Sequence, residues 1–124
     1  MRTHRDDCSA QTREVLDFVD ITDDVQATVG DCGINDGQVT ISCACSSCVL
    51  IVNERETGLL DDIRRATARL AAPGAAERYP LLGTSSVVVP AVAGRLRLGM
   101  WQRLLLVELE RPDTRKIVVQ IVGE

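Results

Sequence analysis

Apolar and polar residues alternate with a period of two through "GQVTISCAC" (37–45), so that Val39, Ile41, Cys43 and Cys45 fall on one face of an expected strand. The turn signal "NDG" (35–37) opens it, and a continuous apolar run, "VLIVNE" (49–54), follows and closes on Asn53-Glu54. "REVLDFVDI" (13–21) alternates more weakly and is a further strand candidate. Two segments carry helical signals. In "TDDVQATVGDCG" (22–33), Thr22 is placed to cap, Asp23 and Asp24 suit the positive end of the helix dipole, and Gly33 can take the left-handed closing conformation. From Thr57 to a stop at Pro73-Gly74, Leu59, Leu60, Ile63, Ala66, Thr67 and Leu70 recur at helical spacing. Three β-like runs end the chain, "SSVVVPAV", "GRLRLGMWQRLLLVELE" and "RKIVVQIVG", with Gly94 and "RPDT" (111–114) expected as hairpin turns between them. The pattern predicts an α+β fold, a largely antiparallel β-sheet sandwich with two helices, in a single domain spanning 1–124 whose residues 1–12 form a flexible tail.

Composition narrows the function classes. The chain has 124 residues, 45% of them apolar, which suits one core rather than two. A net charge of −4 with well-mixed signs offers no basic stripe for a phosphate backbone, and Phe18, Tyr79 and Trp101 are the only aromatic residues, so no nucleic-acid partner is expected. The charged N-terminal segment has no apolar signal core and no run reaches membrane-spanning length, so a cytoplasmic protein without a membrane partner is expected. Five cysteines, an odd number in a reducing compartment, do not suggest a disulfide framework. Cys8, in the polar tail, is expected to be the thiol that reacts first with oxidant.

The candidate chemistry lies around "CACSSC" (43–48). Cys43 and Cys45, about 7 Å apart on one strand face, are far apart for chelating one ion, while Cys45 and Cys48 could hold zinc or a similar ion if the chain bends at Ser46-Ser47. The alternative reading makes Cys43 and Cys48 small apolar core residues. Glu54, after four apolar positions, is placed at the rim of a concave surface or is a simple surface charge. Glu54 and Glu108 could hold magnesium, although Glu108 and Glu110, two apart, also read as charges guarding an edge strand. Trp101 is a core or interface anchor, or a stacking platform. Arg64, Arg65 and Arg69 read as solvated partners of Asp61 and Asp62.

The order "DIT" (20–22), "GINDGQVTI" (33–41), a polar triplet before "VLIVNE", "GLLDD" (58–62), "RYP" (78–80), "GRLRLGMWQRLLLVELE" (94–110) and "VVQIVG" (118–123) resembles the YjbQ-like family. The resemblance spans Asp17 to Gly123. It implies a small trimeric α+β protein similar to secondary thiamine-phosphate synthases, with a small phosphorylated ligand. By this resemblance Glu54, Ser46, Ser47 and Glu108 are candidate catalytic residues, and Asn53, Trp101, Gln102 and Arg115 candidate substrate-binding residues.

The departures bear on mechanism. The family's His-Thr-Thr plus small residue is Cys45-Ser46-Ser47-Cys48 here. "RYPLLGTSS" omits a segment that carries two family histidines, leaving His4 as the only one in the chain. The closing Asp-Gly-Pro-Arg reads Glu110-Arg111-Pro112-Asp113, with Arg111 or Arg115 as the residue that could replace the arginine. Expelling pyrophosphate requires positioned cations. The expectation is thus a transferase at most, with a degenerate site and weak or absent activity. A thiol-based metal module or a structural subunit of a homotrimer is the alternative. The nearly two-sided apolar run "LGMWQRLLLVEL" (98–109) adds a hint of assembly.

Overall fold

A computed structural model of the chain describes residues 1–72 and 81–124. Elements follow in the order β1 (Arg2–Gln11), β2 (Phe18–Asp20), α1 (Thr22–Asp31), β3 (Gly37–Cys43), β4 (Cys48–Glu54), α2 (Thr57–Leu70), β5 (Ser86–Val92), β6 (Arg95–Leu96), β7 (Gln102–Glu108) and β8 (Thr114–Gly123). They form a five-stranded sheet, β1-β8-β3-β5-β6, and a three-stranded sheet, β2-β7-β4, and every pairing is antiparallel.

The principal core fills the space between the sheets. Val39, Ile41 and Cys43 from β3 and Ile117, Val119 and Ile121 from β8 meet Cys48 and Leu50 from β4 and Leu104 and Leu106 from β7, and α1 adds Val25 and Val29. On the other face of the small sheet, Val49, Leu105 and Val107 pack with Leu60 and the half-buried Ile63 of α2. The small sheet is therefore covered on both sides within one chain, which accounts for the run of buried residues from Leu104 to Leu109. The two-sided apolar pattern read as a hint of assembly is used inside the fold.

Several boundaries differ from expectation. Residues 2–11 are no tail: they pair with β8 from Arg2 opposite Gly123 to Gln11 opposite Thr114. Within 13–21 only Phe18–Asp20 is strand. The third apolar run divides, β6 joining the large sheet and β7 the small one, so the 111–114 stretch crosses between sheets instead of making a hairpin. Gly94 does turn the chain between β5 and β6, at φ +77°, and Gly33 closes α1 at φ +78°.

The start of α1 is not capped by the Thr22 side chain, whose Oγ1 accepts from the Leu104 N–H at 2.8 Å; Asp20 Oδ1 accepts from the Thr22 N–H at 3.0 Å. α2 begins at Thr57 as expected, with Glu56 accepting from the Gly58 and Leu59 N–H groups, and ends at Leu70. The expected stop at Pro73-Gly74, and Tyr79, lie outside the described residues. Arg64 and Arg65 pair with Asp61 and Asp62, and Arg64 also lies over the Phe18 ring, 5.0 Å from its centre. Among the described residues no helix is long and apolar enough to cross a membrane.

Candidate functional site

The register of β4 on β7 places the candidates. Cys48 stands opposite Glu108, and Glu54 opposite Gln102. Six residues of strand, about 20 Å at ~3.3 Å per residue, separate the two ends. The expected catalytic set is thus divided: Ser46, Ser47 and Glu108 lie at one end with Cys45, Cys48 and Arg115, while Glu54 lies at the other with Asn53, Trp101 and Gln102. Glu54 and Glu108 cannot share a cation.

At the first end, β3 stops at Cys43 and a turn over Ser46-Ser47 leads into β4, so Cys45 lies beyond the strand face on which it was expected. Glu108 is 0% exposed and Arg115 7%. Arg115 Nε donates to Glu108 Oε1 at 2.8 Å and Nη2 to Oε2 at 3.0 Å, a bidentate pair. Thr12 Oγ1 donates to Glu108 Oε1 at 2.7 Å, and the Glu110 N–H donates to Oε2 at 3.2 Å. Burial alone would raise the Glu108 carboxyl, but the bonds from Arg115, Thr12 and Glu110 hold it below the ordinary carboxylate range. Arg115, raised by Glu108, also donates from Nη2 to the Arg111 carbonyl at 3.2 Å and from Nη1 to Cys45 Sγ at 3.2 Å, and Nη1 lies 3.8 Å from Asp113 Oδ2.

Glu108 is therefore not a guard on an edge strand, because β7 is the middle strand of its sheet. The Arg115 guanidinium is thus engaged within the fold, and Arg111 pairs with the exposed Glu110 at 2.8 Å. Ser47 Oγ also donates to Glu110, while Ser46 is exposed. Cys43 and Cys48 are buried core residues, as the packing alternative held. Cys48's thiol is pushed up by its hydrogen bond with Cys43 and then by burial, and Cys43 is lowered by accepting that bond. Among the described residues no group of three or more His, Cys, Asp or Glu side chains is arranged to hold a metal ion.

At the second end an open groove of about 480 Å³ is lined by Asp20, Glu54, Arg55, Glu56, Met100, Trp101 and Arg103. Glu54 does face a concave surface. Trp101 is 69% exposed and Met100 86%, so Trp101 is no core residue. Gln102 folds back to accept the Gly99 N–H at 2.8 Å, and Asn53 Oδ1 accepts from the Glu54 N–H at 2.8 Å, so both side chains brace backbone. Arg103 donates to Asp20 at 2.7 Å and to Asp23 at 3.2 Å, and Arg55 lies 3.7 Å from Asp20. Burial would raise Asp20, but bonds from Arg103 and Thr22 hold it down.

Thr12, Asp20 and Arg103 are not among the site residues that the sequence suggests. A signal existed for Asp20, in the "DIT" element of the resemblance. None existed for Thr12, whose role depends on β1 lying beside β8.

A YjbQ-like UPF0047 family model matches residues 6–124. A UPF0047 protein of Archaeoglobus fulgidus is 33% identical over 122 residues, covering 89% of this chain and 94% of that protein. The crystal structure of a YbjQ-like protein of unknown function from Sulfolobus solfataricus P2 superposes with a TM-score of 0.88 at 32% identity, covering 99% of both chains. A hypothetical protein from Aeropyrum pernix K1 superposes with a TM-score of 0.83 at 29% identity over 100% of both. With the family model covering nearly the whole chain and the same fold recurring across these relatives, the chain belongs to the YjbQ-like UPF0047 family.

Proposed function

We propose that this chain keeps the YjbQ-like fold with weak or absent thiamine-phosphate synthase activity. The observation that carries the reading is the occupancy of Arg115. Among the described residues the buried guanidinium near the family's polar triplet, that of Arg115, is bound at two nitrogens by Glu108, donates to a carbonyl and to Cys45, and pairs with Asp113. Transfer from a pyrimidine diphosphate to a thiazole phosphate needs donors free to meet the charge that develops on pyrophosphate. The groove at the other end supplies no better cradle, for three carboxylates (Asp20, Glu54, Glu56) face two arginines that already lie near Asp20. The test is to incubate the purified protein with both substrates and magnesium and to measure thiamine phosphate. Formation at or near the rate without protein is expected; robust turnover contradicts the reading.

A structural role in a homotrimer is the second reading, supported by the exposure of Met100 and Trp101 beside one another, with Val88 and Val92 also exposed. Sedimentation at micromolar concentration is expected to give a trimer, and a monomer contradicts it.

A further inference from the structure

Cys45 and Cys48 occupy the two corners of the Ser46-Ser47 turn that joins the large sheet to the small one. A four-residue turn brings its ends to within about 7 Å, the span a disulfide bridges. Their surroundings differ. Cys48 is fully buried, and its thiol lies against those of Cys43 and Cys45. Cys45 is half-buried, and its sulfur accepts two N–H groups, from Ser47 at 3.3 Å and from Arg115 Nη1 at 3.2 Å. Because Glu108 offsets the charge of Arg115, what reaches the sulfur is a pair of directed donors. The two donors fix the position of the sulfur at the turn, and partial exposure lets a small oxidant reach it.

The other thiols lack this combination. Cys43 is buried. Cys32 donates to the Val29 carbonyl at 3.1 Å and accepts from the Ile34 N–H at 3.4 Å, with no cation against it in those contacts. Cys8, expected to react first, belongs to strand β1, where burial followed by Asp24, Asp6 and Asp7 raises its thiol.

The geometry points to Cys45 and Cys48 as a redox-active dithiol, in which Cys45 is oxidised by a hydroperoxide and Cys48 resolves it. The Cys45 sulfur attacks the distal peroxide oxygen. An S–O bond forms and the O–O bond breaks, and the departing oxygen takes the thiol proton to leave as an alcohol or water. Cys48 then attacks the sulfenic acid: the S–S bond forms, the S–O bond breaks, and the hydroxyl leaves with the Cys48 proton as water. Two thiols give up two electrons, and the hydroperoxide gains them. The disulfide would take Cys48 from its bond with Cys43 at the junction between the sheets.

The test uses the full chain, reduced and freed of reductant, then exposed to a few equivalents of hydrogen peroxide and mapped as unreduced peptides. A Cys45–Cys48 bridge is expected, with two thiols lost and Cys8 and Cys32 still open to alkylation. Cys48→Ser should stop at a Cys45 sulfenic acid trapped by dimedone, and Cys45→Ser should lose thiols about tenfold more slowly. Because a buried substitution can disturb folding, limiting iodoacetamide on the unaltered chain supplies a second reading, in which Cys45 is labelled first. First oxidation or labelling at Cys8 or Cys32, a Cys43–Cys48 bridge, or wild-type thiol loss in folded Cys45→Ser would overturn the inference.

Discussion

The β4–β7 ladder ends in two opposite ways. At its Cys48–Glu108 end a carboxylate and a guanidinium are buried against each other and joined by Thr12 and Cys45. At its Glu54–Gln102 end carboxylates and guanidiniums line an open groove beside an exposed tryptophan. The same residue types serve different purposes because water is excluded from one end only. A buried pair that loses one member leaves an uncompensated charge, which costs several kcal/mol, whereas an exposed pair is screened and contributes little. The polar residues at the first end are buried against one another, and those at the second line an open groove.

The largest effect expected from breaking this contrast is at the buried end. Arg115→Met leaves Glu108 buried without its cation and should cost about 3–5 kcal/mol of unfolding free energy, read from the urea midpoint. Acid acts next. The Glu108 and Asp20 carboxyls lie below their unfolded values when folded, so their contribution is whole above those values and is lost as pH falls through the folded ones. Stability should therefore drop progressively below about pH 4, and a variant lacking Glu108 and Arg115 should show a shallower fall in the same titration.

At the open end the effects shrink. Asp20→Asn weakens the Arg103 pair and the bond to the Thr22 N–H and should cost about 1 kcal/mol in the same urea assay. Trp101→Ala should change the chain's own unfolding by no more than about 0.5 kcal/mol. A loss of about 2 kcal/mol or more there would place the indole against a surface that its own chain does not supply.

How much of this was legible in the sequence follows the same division. The alternation in β3 and β8 and the spacing in α2 state their buried faces directly, because local period and packing agree. β1 was hidden because "RTHRDDCSAQ" buries only Ala10 and half-buries His4 and Cys8; pairing with β8 holds it in place, and its charges suit a sheet edge. The polar break at Cys45 was readable as the mark of a special position. Its partner was not, because Arg115 and Glu108 lie on strands of different sheets, and a sequence shows a lone acid closing "LLLVE" without showing which cation answers it. Reading Glu108 with Glu110 as an exposed pair followed from their spacing, which does not say that the chain leaves the sheet between them.

The most direct test of the contrast is the coupling between Glu108 and Arg115, measured by urea unfolding of Glu108→Leu, Arg115→Met and the double variant. Each single change is expected to cost about 3–5 kcal/mol and the double less than either, because an apolar pair replaces a matched ion pair without leaving a buried charge. Singles that leave stability unchanged, or costs that simply add in the double, would contradict a buried, mutually dependent pair at this end of the ladder.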